Sequence, residues 1–596
     1  MSNKKIGQPM KVEKVRNWKR TLLRIWRYLD VYRGQLILVL FTVLASSSLG
    51  LLGPFLIGKT IDKYIAENNG HTLIFILVMI AFVYFFFSLT SFMQSYWMIG
   101  IGQKTVFTMR KQLFNRLHKL PIKFFDKRQH GELMSRLTND IDNVSQTLNT
   151  SVIQLSSSII TLVGTITVML ILSPLLTLIT MFVVPIMYFG MKWITNRTGR
   201  LFKEQQKHLG DLNGFIQETI AGQTIVKTFS QEEKIISEFM EKNEKLRNAG
   251  YWAQVYSGFI PKLMNMLNNL NFAVIAGAGG ILALKGYVSI GTIVVFTEYS
   301  RQFTRPLNEL ANQFNTLLSA VAGAERVFEI LDEEEEKDQK SSRKIDHING
   351  AIEFKNVSFS YDQEEQNQTI YQINFQVKPG ETVALVGPTG AGKTTIINLL
   401  ARFYEASSGT ILVDGMDIHT IQRNNLRSHM GFVLQDAYLF QGTIRENIRY
   451  GKLDSSDKEV EEAAKMANAH SFITKLPNQY DTILKQDGSG ISQGQRQLLS
   501  IARAMLSNPS LLILDEATSN IDTITEMKIQ EALSRLMEGR TSVVIAHRLN
   551  TIQNADQILV LNQGQIIEKG THTTLLQQHG FYYDLFHSQL REEVGS

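Results

Sequence analysis

A chain of 596 residues is too long for one hydrophobic core, so two or more domains are expected. Its net charge of +6 sits mostly in basic stretches that flank apolar runs, which argues against nucleic acid as a partner. The chain has no cysteine, which excludes disulfide and thiol chemistry.

Residues 16–32, RNWKRTLLRIWRYLDVY, alternate basic and apolar side chains at helical spacing. This predicts an amphipathic helix lying along a membrane surface, with an ordinary basic flank as the alternative. Residues 34–58, 72–103, 143–191 and 263–284 then contain no Asp, Glu, Lys or Arg, and each is long enough to cross about 30 Å of hydrocarbon as a helix. The third of these runs suits two spans, with Ser173-Pro174 as the turn between them. A sixth span begins at Val288–Phe296 and carries Glu298 and Arg301 further along. The expected spans are 34–58, 72–98, 151–172, 174–194, 260–284 and 287–310. A signal peptide around LASSSLG fits less well, because its leader is too long.

Charge orients these spans. Ten Lys or Arg precede the first, and residues 99–150 and 195–255 are similarly basic, whereas the opposite loops hold only Lys59, Lys63 and Lys285. Both termini and both long loops are therefore expected in the cytoplasm, beneath the cell membrane. Read as pairs of helices of about 25 residues, the long loops would project about 38 Å. Their breakers fall at PIKFFDKRQHGE, 121–132, and NGFIQETIAGQT, 213–224. Both tips mix apolar and charged residues, as tips that pack against a partner do; solvated hairpins are the alternative.

The acidic stretch LDEEEEKDQKSSRKIDHING, 331–350, reads as a linker with little capacity for core. Strand-like alternation follows, and one strand runs into GPTGAGKTT, 387–395. This is G-x-x-x-x-G-K-[ST]: Gly387, Gly390 and Gly392, with Pro388, Thr389 and Ala391 between them, form a loop whose N–H groups face phosphates. Lys393 reaches the β- and γ-phosphates, Thr394 holds Mg²⁺, and Thr395 closes the motif. In PSLLILDEATSNID an apolar strand presents Asp515 to the Mg²⁺ shell and Glu516 to the attacking water. The strand TSVVIAHR ends at His547, placed to sense the γ-phosphate; a structural histidine is the alternative.

Ser492 to Gln495 fits the S-x-x-Q capping box, so a helix is expected to start there with free N–H groups able to bind phosphate. Gln493 and Gly494 lie in that start, and Gly494 allows close backbone approach. One subunit offers this helix no second phosphate, so a dimer is expected in which each helix start covers its partner's nucleotide.

With six spans before them, the phosphate loop, Gln435 in FVLQD, ISQGQ, LLILDEATSNID and His547 in IAHR together resemble a type IV ABC exporter half-transporter over essentially the whole chain. The resemblance implies a six-span α-helical transmembrane domain plus an α/β P-loop ATPase domain. It divides the chain into a basic segment with an elbow helix (1–33), the transmembrane domain (34–325), a linker (326–350) and the ATPase domain (351–596). It further implies that Tyr361 stacks on adenine and that Gln435 links Mg²⁺ to the membrane domain. Asp522 would end a loop crossing the dimer interface, and the tips near 121–132 and 211–224 would be coupling helices. ATP binding would close the ATPase domains and turn the cavity outward.

Two departures from the family stand out: the usual Leu-Ser-Gly-Gly-Gln is Ile491-Ser492-Gln493-Gly494-Gln495, and the usual acidic residue upstream is Gln486. Intact Glu516 beside this altered signature is similar to the consensus-site subunit of heterodimeric bacterial multidrug exporters of the EfrCD or LmrCD type. The partner would then be a different half-transporter with a degenerate catalytic site, and a homodimer is the alternative. Glu298 and Asn268 are the candidates for the substrate cavity, where Glu298 would attract lipophilic cations or simply pair with Arg301. The expected function is ATP-driven efflux of amphipathic drugs. A homodimeric lipid or peptide exporter and an ABC-type membrane sensor are the alternatives.

Overall fold

The computed structural model describes residues 17–67, 70–361, 368–485, 488, 490–515, 521–546 and 549–595. These fall into two compact units, one drawn from Met1–His118 and Gln129–Glu333, the other from Lys119–Arg128 and Glu334–Ser596.

The first unit is helical. Helix α1 (Trp18–Asp30) buries Thr21, Ile25 and Leu29 at i, i+4 spacing and leaves Trp18, Leu23 and Trp26 exposed. Long helices follow: α2 (Arg33–Glu67), α3 (Gly70–Leu117), then, past the short α4 (Ile122–Asp126) and α5 (His130–Ser135), α6 (Ile141–Leu172). After α7 (Pro174–Ala221) and the short α8 (Gln223–Thr228) come α9 (Glu232–Leu284) and α10 (Ile290–Asp332). The turn expected at Ser173-Pro174 is present: Pro174 opens α7, and Ser173 caps it by accepting the Leu176 N–H. Among the described residues four stretches are long and apolar enough to cross a membrane, Arg33–Lys63, Leu73–Leu117, His130–Leu172 and Glu232–Leu284.

The long loops are not separate hairpins. The span helices run on through them, because nothing between Thr72 and Leu117 or between Pro174 and Ala221 stops a helix except a tolerated interior Pro185. In consequence the second break falls at Gly222, and the short helix α8 lies at the far edge of the 211–224 stretch singled out from sequence. Helix α10 likewise continues through Asp332, well into the stretch read as linker, because Val327, Phe328, Ile330 and Leu331 supply a buried face. Helix α1 packs there: Tyr28 stacks on Phe328 and Arg24 pairs with Asp332 at 2.7 Å.

The second unit holds two main sheets. β1 (Ile352–Phe359) and β2 (Ile370–Val377) pair with β4 (Ser408–Val413) and β5 (Met416–Asp417) in an antiparallel sheet ordered β2-β1-β4-β5. The other sheet joins β3 (Thr382–Val386), β6 (Met430–Val433), β9 (Leu511–Asp515), β10 (Thr541–Ile545), β11 (Gln557–Asn562) and β12 (Gln565–Gly570) in the order β12-β11-β3-β10-β9-β6. The short pair β7 (Gly442–Thr443) and β8 (Ile483–Leu484) forms a third. All pairings from β11 to β6 are parallel, and their near-continuous Val, Ile and Leu fill buried positions on both faces. The acidic run after α10 is clamped to this unit. Glu336 takes a two-pronged hydrogen bond from Arg427 at 2.7 and 3.0 Å, and Asp338 pairs with Arg402 and Arg423. What the linker lacks in apolar core it recovers in partly buried ion pairs.

Candidate nucleotide site and intramembrane cavity

In a parallel sheet, ligands bind beyond the carboxyl ends of the strands. Register sets Asp515 on β9 opposite Ile545 on β10, and Ile545 opposite Leu385 on β3, so three strand ends finish level. The loop after β3 turns through Gly387 and Gly390 to Gly392, whose φ of +101° is left-handed and whose added Cβ would lie 2.7 Å from Ile370. Helix Lys393–Leu400 starts at that glycine with its N–H groups facing outward. Lys393 is buried and its Nζ donates to the carbonyls of Gly387 and Pro388 at 2.7 and 3.0 Å. Burial lowers its pKa and the Asp515 carboxylate partly restores it, so these two charges share one site.

A buried ammonium in a glycine loop at a helix start fits a polyphosphate. The hydroxyl of Thr394, the carboxylate of Asp515 and the amide oxygen of Gln435, exposed just past β6, are hard oxygen donors of the kind that suit Mg²⁺. Thr395 is buried, with its Oγ1 3.3 Å from the Tyr361 hydroxyl, and the Asn398 amide donates to that hydroxyl at 3.3 Å. Pro388, Thr389 and Ala391 lie in the loop as expected. Glu516, His547 and Gln486 fall outside the described residues.

Behind Tyr361 stands Tyr404, a residue that the sequence does not signal. Its ring lies edge-on to Tyr361 at 4.9 Å and to Phe359 at 5.5 Å, and its hydroxyl donates to Asp126 of α4. Burial first, then the Asp126 carboxylate, pushes the Tyr404 hydroxyl pKa upward. The first loop tip thus belongs to the ATPase unit: Phe124 is buried, Arg128 lies over its ring at 4.5 Å, and Glu336 donates its N–H to the Lys119 carbonyl.

The capping box at Ser492–Gln495 is present in both directions: Gln495 N–H to Ser492 Oγ at 3.3 Å and Ser492 N–H to Gln495 Oε1 at 3.0 Å. Gly494 has an intrachain reason to lack a side chain, since a Cβ there would meet Thr525 at 2.4 Å. Asp522 caps the neighbouring helix Thr523–Met537 by accepting the Thr525 N–H at 2.9 Å, which lowers its pKa. Gln493 is half-buried and lines a hollow of about 260 Å³ together with Gln435, Arg496 and Gln497.

In the helical unit a cavity of about 370 Å³ opens among α2, α3, α6 and α10. Arg305 and Glu309 line it. Glu298 and Asn268, the candidates from sequence, do not; Glu298 is 3.8 Å from Arg301. The missed pair lies one and two helical turns beyond Arg301, a polar stripe on α10 that its spacing could have revealed.

Known proteins agree with this architecture. A family model described as the ABC transporter transmembrane region matches residues 36–307, and one described as ABC transporter matches 370–519. The uncharacterized ABC transporter ATP-binding protein YfiC of Bacillus subtilis (strain 168) is 63% identical over 97% of this chain and 96% of its own. A fatty acid ABC transporter ATP-binding/permease protein of Mycobacterium tuberculosis (strain CDC 1551 / Oshkosh) is 45% identical over 81% of this chain and 76% of its own. The putative multidrug export ATP-binding/permease protein YgaD of Bacillus subtilis (strain 168) is 35% identical over 94% and 98%. The chain therefore belongs to the ABC transporter family, as a membrane protein with a type IV exporter-like transmembrane region and an ATPase domain whose turnover is coupled to transport.

Proposed function

We propose that this chain is one half of an ATP-driven exporter of amphipathic compounds, with six spans and both termini on the cytoplasmic side of the cell membrane. Its partner is a second half-transporter of different sequence. The observation that carries the dimer is the second loop tip: α8 buries none of its side chains, and Ile220, Ile225 and Phe229 are 70%, 61% and 66% exposed. A row of apolar side chains at the end of a long helical pair is a docking surface. The signature start at Ser492–Gln495 is a second one, a capped helix end aimed at phosphate on another subunit.

Within this chain, Lys393 holds the β- and γ-phosphates and Tyr361 supports the adenine. Thr394, Asp515 and Gln435 are the oxygen donors for Mg²⁺, which neutralises developing phosphate charge when bound. Glu516 accepts the proton of the attacking water, and His547 orients the γ-phosphate. Gln493, where the family has glycine, crowds the partner's phosphate, so the two ATP sites differ. Glu516 then serves the competent one, completed by the partner's regular signature.

Glu516→Gln tests this. In the purified pair with its partner subunit, ATP turnover should fall to a few per cent while ATP binding persists. Retention of half the rate would mean two equivalent sites, the second served by the partner's own glutamate, and would remove the unequal-site reading; a homodimer would instead turn over ATP with no other chain present. Export of a lipid rather than a drug is the second reading, supported by the relatives' names, which include a fatty acid transporter beside a putative multidrug exporter. An ATP-driven sensor that moves no solute is tested by ATP-dependent accumulation in inside-out vesicles.

A further inference from the structure

We infer that the cavity among α2, α3, α6 and α10 takes the oxyanion headgroup, carboxylate or phosphate, of a single-chain amphiphile, with the Arg305 guanidinium as its anchor. This rests on the reading above only for the direction of transport, since binding itself needs no turnover.

The cavity wall is unlike that of a pocket for apolar drugs, where a few polar groups punctuate hydrocarbon. Here hydroxyls and amides predominate, and they bind one another across helices: Ser46 donates to Gln94 at 3.2 Å, and Ser47 meets Ser157 at 3.4 Å. The same helices turn Leu38, Phe41, Phe82 and Phe85 outward. Polar side chains at that depth are costly unless they serve a polar ligand or water.

The charges decide which ligand. Glu309 accepts from Ser158 at 3.0 Å and from Arg305 Nε at 2.9 Å, so the acid is satisfied twice over. Arg305 engages it through Nε alone, and its side chain remains 84% exposed. A guanidinium braced at Nε presents its two Nη groups as a fork, the geometry that grips a carboxylate or phosphate with two parallel bonds. A cationic headgroup would meet this fork rather than a free acid. Glu298, the acid expected to attract cations, is paired with Arg301 and lies off the cavity wall. Tyr84 and Phe87 on the same wall suit the first methylenes of the chain.

The experiment uses the full chain with its partner subunit in nanodiscs of zwitterionic lipid, without nucleotide. Laurate, dodecyl phosphate and dodecyltrimethylammonium are titrated by calorimetry. At least one anion should bind more tightly than the cation, and Arg305→Gln should weaken that anion about tenfold or more while leaving the cation unchanged. Arg305→Lys, which keeps charge and loses the fork, should fall between, and Glu309→Gln should weaken the anion less than Arg305→Gln does. Whichever anion loses more identifies the headgroup. Tighter binding of the cation, or anion binding indifferent to Arg305→Gln in protein of unchanged melting temperature, would overturn the inference. Anion binding without ATP-driven transport would leave it standing and remove the exporter reading instead.

Discussion

The two loop tips were built from similar material and have opposite surroundings. The first, around α4, buries Phe124 and ties Asp126 to Tyr404, directly behind Tyr361. The second, around α8, buries nothing and presents Ile225 and Phe229. An apolar tip satisfied within its own chain needs no other molecule to cover it. One left uncovered depends on another molecule. The contrast makes the first tip a matter of stability and the second a matter of assembly, and each can be broken separately.

The largest effect is expected from charging the second tip. Ile225→Asp with Phe229→Asp should cut the ATPase activity and transport of the assembled pair by about tenfold or more, as loss of docking anchors does. Melting of the isolated chain should move by less than about 2 °C, because exposed substitutions cost little. Phe124→Asp at the first tip should do the reverse, lowering the melting temperature by several degrees through an unpaired buried charge. If both variants lose stability alike, the tips are equivalent and the contrast fails.

A smaller effect isolates the Tyr404–Asp126 bond. Tyr404→Phe, Asp126→Asn and the double variant should show non-additive stabilities with a coupling of about 1 kcal/mol, the size of one net hydrogen bond. Additive losses would mean that the contact is incidental. The same bond has a pH signature. The Tyr404 pKa is raised above its ordinary 10.0 in the folded state, so its contribution is whole below pH 10 and is lost as pH climbs beyond. Wild type should therefore lose more stability between about pH 10 and 11 than Tyr404→Phe, read from melting curves.

The smallest effect concerns the hollow shared by Gln435 and Gln493. Gln493→Gly should change turnover at the Glu516 site by less than about twofold, yet alter nucleotide retention at the opposite site, measured by trapping labelled nucleotide. A large loss of turnover would place Gln493 in the competent site.

Much of the nucleotide site was legible because its parts are local. The glycine loop, the apolar strand ending in Asp515 and the capping box at Ser492 each state their geometry within a few residues. The turn at Ser173-Pro174 and the amphipathic helix at 18–30 were readable for the same reason. Helix ends at Ala221 and Asp332 were less so. Whether a helix continues past a weak breaker depends on what its next turn can bury, as Val327 and Phe328 do. The acidic run after Asp332 looked solvated because the arginines that hold it, Arg402, Arg423 and Arg427, lie far along the chain.

From sequence alone came the division into membrane and ATPase parts, the phosphate loop, and the expectation of a second subunit, since hydrophobic runs and turn chemistry act over short distances. Tertiary structure alone decided that Tyr404 joins Asp126, that Arg305 and Glu309 rather than Glu298 line the membrane cavity, and that one tip is covered while the other is not. Each of those joins residues brought together only by folding: Ser158 and Glu309 are 151 positions apart and Asp126 and Tyr404 are 278. No local pattern encodes such a meeting, because it is set by how long helices and sheets pack.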